Sequence, residues 1–399
     1  MNETQPSPGP LEGIRVLDCS TFLAGPYAAT LLGDLGADVI KIEPPAGDES
    51  RHLGPERAGE RAPFISVNRN KRDIVLDLAA EQDRAVFARL LATADVMITN
   101  VREPALSKLG LSYEQAAAHK PDIIWVGVTA FGPDGPYAGR PGIDFLAQAL
   151  AGLISLTGEP DGPPMRVTVP MVDVMTSVLV STGILAALHE RGKSGQGQRI
   201  DVSLLDALVH AQATGLGGLF LAGEVPPRTG NRSRFFAPSG IYECADGKRL
   251  CITCPTEKFF RNFARAVEPA WLDDPRFQSI ELRMEHQDAL DAEIVRRCKQ
   301  LTREELLERL VAADVLAAPV NELTDVVEDP QVRHNEMVVT TEHAALGPLN
   351  VTGIPVKLRR TPGSIRRSPP VLGQHTEEIM AELGYTQDEI DALLAHAAM

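Results

Sequence analysis

Short apolar runs alternating with amphipathic stretches set the pattern of the first half of the chain. Ile14-Arg-Val-Leu-Asp18 reads as a strand, Gly25-Pro26 as a turn, Tyr27 to Leu35 as an amphipathic helix, and Ala37-Asp-Val-Ile-Lys-Ile42 as a second strand. The pattern recurs: Ile74 to Leu78 predicts a strand, Glu81 to Ala92 a helix, Val96 to Thr99 a strand, and Ile123 to Thr129 another strand after an intervening helix. Each strand-helix-strand step is a βαβ unit with parallel strands, so the repetition predicts an α/β fold built on a doubly wound sheet. Ligands of such sheets sit beyond the carboxyl ends of the strands. Those ends are Thr21 to Ala24, Glu43 to Asp48, Asn100 to Pro104 and Ala130 to Gly135.

Further on, apolar residues recur at helical spacing from Val174 to Leu188 and predict a long buried helix. Lys193 to Gly197 is a loop, Gln198 to Val202 a strand, and Leu204 to Leu221 a helix whose Ala and Gly residues suit close helix approach. The pattern shifts at Glu224 to Ser233, a linker rich in Pro, Gly and Arg. Gly240 to Cys254 then reads as a hairpin turning on Asp246-Gly247. With helices over Phe259 to Val267, Met284 to Gln300 and Arg303 to Ala312, this stretch predicts a smaller α+β domain. Ala318-Pro-Val320, Val338-Val-Thr340 and Asn350 to Ile354 suggest short strands. A last helix, Glu377 to Leu383, follows Leu372-Gly-Gln-His-Thr376, where His375 reads as a surface or capping residue. The expected division is 1–223 for a large domain, 224–320 for the small one, and 321–399 for a return to the first.

A chain of 399 residues exceeds the size at which one core keeps growing, in keeping with two domains. A formal net charge of −15 with no long basic run argues against a nucleic-acid or anionic-membrane partner. Local basic residues still leave an anionic small ligand open. Arg51, Arg57, Arg61, Arg69, Lys71 and Arg72 cluster, with Lys108 and Arg140 further on; they are either solvated faces or a phosphate-collecting rim. The five cysteines are scattered and odd in number, which fits a reducing compartment, and the thiols of Cys251 and Cys254 on a strand would face opposite ways. Met1 to Pro10 lacks a signal-peptide pattern, and no run is expected to span a bilayer. The expectation is a cytoplasmic protein with no metal. Neither G-x-G-x-x-G nor G-x-x-x-x-G-K-[ST] occurs, so a nicotinamide dehydrogenase lacks its main support.

The strongest candidate for chemistry lies in Val169-Pro-Met-Val-Asp-Val-Met-Thr-Ser177, where Asp173 is the only charge for some way on either side. An aspartate at a helix mouth is a common N-cap. A poorly hydrated carboxylate near a helix's positive end can also attack a carbonyl and form an acyl-aspartyl anhydride. The two roles compete for the same lone pairs, and the local pattern leaves both open.

Taken together, further segments resemble the family III coenzyme A transferases nearly end to end. That group takes in formyl-CoA, carnitine-related and succinyl-CoA-dependent transferases and, as a branch, the α-methylacyl-CoA racemases. The matching pieces are Leu11-Glu-Gly-Ile-Arg-Val-Leu-Asp18, Ala24-Gly-Pro26, Leu35 to Glu43, Asn68-Arg-Asn-Lys-Arg72, Asp95 to Asn100, Gly132-Pro-Asp-Gly-Pro136, Gly192 to Gly197 and Leu372-Gly-Gln-His-Thr376. The resemblance implies a Rossmann-like large domain made from the first and last segments, a smaller middle domain, and an interlocked homodimer. It places the family's catalytic aspartate on Asp173 and its CoA-lining positions on Leu23, Ala24, Leu76, Leu78, Asn100, Val101, Arg102, Lys108, Arg140 and Asp144. Apolar members of that set would act through backbone groups, while Lys108 and Arg140 would pair phosphates. Pro44 stands where some relatives have Arg, so Arg51 or Lys71 is expected to supply that contact.

The implied partners are acyl-CoA, as substrate rather than as a tightly bound cofactor, and small carboxylic acids. Succinyl-CoA and a dicarboxylate are the expected pair, with Arg232 and Arg234 for the second carboxylate. The compact segment Gly230 to Gly240, where formyl-CoA members have a longer glycine-rich loop, argues against oxalate and formate. The amides opening the Asp173 helix are expected to serve oxyanions. Racemases carry a His where this chain has Ile143, between Gly142 and Asp144, and Ile143 has no proton to exchange, which disfavours a two-base racemase. A non-catalytic CoA-binding protein remains the other alternative.

Overall fold

The computed structural model describes residues 9–397, so the Pro-rich opening read over Met1 to Pro10 lies, except for its last two residues, outside the described residues. The chain forms two compact units, one of Met1–Gly152, Val167–Gly217 and Pro330–Met399, the other of Leu153–Arg166 and Gly218–Asp329. Residues 153–166, which the sequence pattern groups with the first stretch, thus join the second unit.

The first unit is built on a six-stranded sheet of β1 (Arg15–Cys19), β2 (Asp38–Glu43), β3 (Lys71–Val75), β4 (Val96–Thr99), β5 (Ile124–Thr129) and β6 (Gln198–Ser203). They lie in the order β3-β2-β1-β4-β5-β6, every neighbour parallel. Val16, Leu17, Met97, Ile98, Ile124 and Val126 are fully buried, as near-continuous apolar strands covered on both faces must be. Strand order reverses between β1 and β4, and the crevice beyond their carboxyl ends is the ligand-binding position of such sheets. β3 begins three residues before the strand predicted from Ile74, because its first three residues, Lys71, Arg72 and Asp73, are charged and yet buried.

The first unit's helices include α1 (Ala24–Asp34), α2 (Glu81–Ala92), α3 (Tyr113–His119), α4 (Asp144–Leu150), α5 (Met171–Ser194) and α6 (Leu204–Ala211). α1 opens on Ala24, so Gly25 and Pro26 form its first turn rather than a separate one; proline is tolerated there because its missing amide would have no helical partner. A Cβ on Gly25 would stand 2.3 Å from Ser20 Oγ, which requires glycine for the close return of the chain after β1. α5 lies along α1 with small residues between them: Ser177 Oγ donates to Ala24 O at 2.8 Å, and Ser181 Oγ donates to Ala28 O at 3.3 Å. α5 corrects one expectation. It is 24 residues long and contains an 18-residue stretch of mean hydropathy 1.8, which is long and apolar enough to cross a membrane by length and composition, although Val172, Thr176, Val180 and Ile184 are buried within the unit. The predicted helix from Leu204 to Leu221 is broken at Gln212, whose side chain donates to Ala151 O at 2.8 Å; its second half is α7 (Ala213–Ala222).

In the second unit, β7 (Ser239–Glu243) and β8 (Arg249–Thr253) form the predicted hairpin, with Gly247 at φ 76°, and β9 (Leu316–Pro319) pairs with the other edge of β8. Tyr242, Leu250, Ile252, Phe260, Phe263, Ile294, Leu306 and Leu310 make its core. Cys251 is exposed and Cys254 buried.

The chain then returns to the first unit with the hairpin of β10 (Val338–His343) and β11 (Gly347–Thr352) and with a helix over Thr376–Glu382. His375 stands at the N-cap position of that helix, as the capping reading has it, but it is buried rather than on the surface and its side chain makes no cap hydrogen bond. Its Nδ1 accepts the Asp73 amide at 3.1 Å and its own amide donates to Asp73 O at 3.0 Å, which pairs this segment with β3.

Beneath the sheet's carboxyl ends lies a buried ionic network. Lys71 Nζ donates to Asp18, Asn68 and Pro26 O, each at 2.7 Å, and Lys41 Nζ reaches Asp48 at 2.9 Å and Ser20 O at 2.8 Å. Removing one partner of such a network strands a desolvated charge. Lys71→Ala is predicted to cost about 3–5 kcal/mol in the first urea-unfolding transition; a loss within about 1 kcal/mol, the scale of a surface pair, would contradict this account.

Candidate active site

The loops after β1 and β4 are clipped together where the strand order reverses. Asn100 Oδ1 accepts the Thr21 amide at 2.9 Å and its Nδ2 donates to Thr21 O at 2.8 Å, so the carboxamide is used within the fold. Phe22 is held at φ 66°, a left-handed conformation unusual for a bulky residue and often found at functional sites. Its amide donates to Asp48 Oδ1 at 3.3 Å, which ties the loop to the ionic network below. Leu23 is half-buried and Ala24 buried at the start of α1, with Val101 half-buried on the facing loop. Arg102 Nη1 donates to Gly139 O at 3.3 Å, and the neighbouring Arg140 guanidinium lies 4.1 Å from the centre of the Tyr137 ring. Two loops in contact thus carry the exposed cations Arg102 and Arg140, and exposed Lys108 ends the short helix, Ala105–Lys108, that follows the first of them.

Other sequence-based candidates lie elsewhere. Leu76 and Leu78 are buried in the apolar core with Phe87 and Leu90, so their side chains line no cleft. The basic cluster is not a phosphate rim, because its cations already serve the fold. Arg51 donates to Glu43 at 2.7 and 2.8 Å, and Arg69 grips Asp34 at 2.6 and 3.0 Å. Arg72 bonds Asp38, Glu378 and Glu382, Arg61 pairs with Glu56, Arg57 reaches Leu346 O, and Lys71 has no exposed surface. Neither Arg51 nor Lys71 is placed to supply a missing phosphate contact.

Asp173 is the third residue of α5, and its side chain does not cap the helix. Asp144, the first residue of α4, does so instead: its Oδ2 accepts the amides of Val172 at 2.7 Å and Asp173 at 3.2 Å. Gln148, one turn along α4, donates to Asp144 Oδ1 at 2.6 Å and ties down Val167 through both its backbone groups, at 3.0 and 3.1 Å. The Val174 amide donates to Pro170 O. The amides opening this helix are therefore occupied, which overturns their expected role toward an oxyanion. Asp173's carboxylate is left without a hydrogen-bond donor among the described residues, and burial, followed by the nearby charge of Asp144, pushes its pKa up to about 7. Its backbone carbonyl shares the Ser177 hydroxyl with Ala24 O, at 2.9 and 2.8 Å, which places the start of α5 beside the start of α1. Gln148 and Ser177 were invisible to sequence reasoning; a Gln one turn after an Asp at a helix start is the only local signal. A cleft of about 690 Å³ between β10 and residues 354–365 contains none of these groups.

The model of CoA-transferase family III matches residues 11–376. The chain belongs to CoA-transferase family III. It is 34% identical over 396 residues to succinyl-CoA–D-citramalate CoA-transferase of Chloroflexus aurantiacus, covering 98% of each chain. It is 37% identical over 392 residues to the beta subunit of succinyl-CoA–L-malate CoA-transferase of the same organism, covering 96% of each. A crystal structure of a CaiB/BaiF family protein from Brucella suis superposes with a TM-score of 0.88 at 34% identity, over 94% of this chain and all of that one. The protein is thus a CoA-transferase, its parallel-sheet α/β fold is that of the CaiB/BaiF group, and enzymes of this kind take CoA thioesters and carboxylic acids as substrates.

An acid whose pKa is raised by folding binds its proton more tightly in the folded chain, so its contribution to stability falls as pH rises from about 4 to about 7. Asp173→Asn is therefore predicted to raise the thermal midpoint at pH 8 while leaving it nearly unchanged at pH 4, as read by scanning calorimetry. A midpoint lowered at pH 8 would mean that the carboxylate has stabilising partners.

Proposed function

We propose that this CoA-transferase works through Asp173 as nucleophile, and the observation that carries the reading is a half-buried carboxylate released from capping by Asp144. A carboxylate oxygen of Asp173 attacks the donor's thioester carbon; the C–S bond breaks, leaving a mixed anhydride and CoA thiolate. The thiolate attacks the aspartyl carbonyl, forming an aspartyl-CoA thioester and releasing the donor acid. The acceptor carboxylate then attacks that thioester, again expelling thiolate, which finally takes the acceptor's acyl group and regenerates Asp173. The species exchanged are of comparable energy, so the cycle needs neither ATP nor a tightly bound cofactor. It does need water kept out, since hydrolysis of the anhydride or thioester is downhill. With the α5 amides occupied, the first-turn amides of Ala24 and Gly25, uncapped by any side chain, are the donors for the developing oxyanion.

In this reading coenzyme A lies along Leu23, Ala24 and the Asn100 to Arg102 loop, with its phosphates toward Lys108 and Arg140. The relatives named for succinyl-CoA favour succinyl-CoA as donor and a dicarboxylic acid as acceptor. Arg232 is engaged by Asp288 and Asp291, each at 2.7 Å, and Arg234 by Glu224, so neither is a ready partner for a second carboxylate. The strand order supports a Rossmann-like large domain. Exposed Phe220 and Leu221 of α7 and Val178 of α5 favour an interlocked homodimer. Five free cysteines suit the cytoplasm.

Transfer should follow ping-pong kinetics, and Asp173→Asn is predicted to abolish it with CoA binding retained; hydroxylamine after incubation with acyl-CoA alone should tag Asp173. Because the ionised form attacks, kcat/KM should rise with pH through about 7 and then level off. Undiminished turnover by Asp173→Asn would remove the reading, and a panel of acyl-CoA donors against mono- and dicarboxylates, read by mass spectrometry, identifies the acids. Lys108→Ala and Arg140→Ala are each predicted to raise KM for acyl-CoA about tenfold with little change in kcat, the scale of one charge-assisted contact. Equal losses in kcat and kcat/KM would instead place these cations at the reacting centre.

A further inference from the structure

We propose that Asp144 is the positioning residue of Asp173: it holds the start of α5 by accepting the first amides, and so keeps the second carboxylate free of them to react. The inference rests on Asp173 being the nucleophile, and it replaces the expectation, drawn from family resemblance, that Asp144 lines coenzyme A. Asp144 is 9% exposed. Oδ2 takes the amides of Val172 and Asp173, and Oδ1 takes Gln148 Nε2 at 2.6 Å, so both oxygens are engaged inside the protein. Gln148, 1% exposed, is itself fixed in orientation, since its Oε1 accepts the Val167 amide while its Nε2 also donates to Val167 O. The chain Gln148–Asp144–α5 thus locks the residues entering α5 to the side of α4.

The electrostatic consequence follows from which acid occupies the helix end. An aspartate in the first turn would ordinarily turn its carboxylate onto the free amides and be stabilised as an anion. Asp144 takes those amides instead, and its charge beside Asp173 adds to the burial that raises the pKa of Asp173. The other elements packed on α5 add little charge. The first turn of α1 is Ala24-Gly25-Pro26, and β5 has no titratable side chain. Arg199 and Asp201 of β6 pair with each other at 2.8 Å, and Asp206 and His210 of α6 are exposed. Asp144 is thus the acid whose charge adds to burial in making Asp173 harder to ionise, and it fixes the helix end that carries Asp173.

The test is the pH profile of kcat/KM with saturating acceptor, combined with calorimetric CoA binding, in the full-length enzyme. Asp144→Asn keeps an oxygen for the α5 amides and removes the charge. It is expected to move the acidic limb at least half a pH unit lower than in wild type, with CoA affinity within twofold. Asp144→Glu keeps the charge and displaces the cap; it should leave the limb in place and lower the plateau at least tenfold. Gln148→Ala, which leaves the cap itself intact, should reduce the plateau by less than tenfold without lowering the limb, and covers the case in which the Asp144 variants do not fold. A tenfold loss of CoA affinity in Asp144→Asn with an unmoved limb would overturn the inference and return Asp144 to the CoA site. So would a limb lowered in Gln148→Ala. If Asp173→Asn stays active, the nucleophile assignment itself fails, whereas an inactive Asp173→Asn beside an unmoved Asp144→Asn limb sinks this inference alone.

Discussion

The ion pair of Asp18 and Lys71, both without solvent exposure, is the constraint on which the first unit depends. Burial pushes the Asp18 carboxyl up, but Lys41 and Lys71 more than reverse this and hold it below the usual carboxylate range. Burial lowers the Lys71 ammonium to about 8, against the pull of Asp18. Two charges removed from water are tolerable only when their remaining hydrogen-bonding capacity is met. Here Ser20, Asn68 and Pro26 O meet it. The reach of these groups ties β1, β2 and β3 to the chain entering α1, so the charge network and the loop geometry are one arrangement. The left-handed Phe22 is sustained by that arrangement rather than by its own preference.

From this base the site assembles by helix packing. Ser177 and Ser181 meet the carbonyls of Ala24 and Ala28 with matched four-residue steps, so α5 lies along α1 and brings its first turn to the reversal of strand order. That first turn then receives two acids from different helices. One is satisfied by amides and the other is left in a poorly hydrated place with a charged neighbour. Similar side chains thus acquire opposite duties through their surroundings, the general way in which paired carboxylates divide structural and chemical work. A nucleophile held ionisable but unpartnered costs folding stability, and the dense polar contacts around Asp144 and Gln148 offset part of that cost.

Much of the scaffold was legible in the sequence. β1, β2, β4, β5 and the hairpin of the second unit appear as apolar runs or turn signals because those residues face a core on both sides or a tight turn, and the edge strand β6 appears through its alternating residues. The beginning of β3 was not, since Lys71 and Arg72 look like surface residues until their partners are known. The same error made the cluster from Arg51 to Arg72 resemble a phosphate rim, and made His375 resemble a surface residue. Helices predicted as continuous over Leu204 to Leu221 and Met284 to Gln300 are each broken at one residue that bears no proline or glycine mark.

The sequence alone determined the alternation of strands and helices, the membership of a family and the position of one isolated acid, because periodicity and motif order are properties of a linear string. Only the tertiary structure decided which acid caps α5, which cations are spent on the fold, and that Asn100 and Leu76 turn their side chains inward. Hydrogen bonds and Coulomb interactions depend on distance in space, and Asp144 lies 29 residues before the amide it holds, a separation across which sequence pattern carries no information about contact.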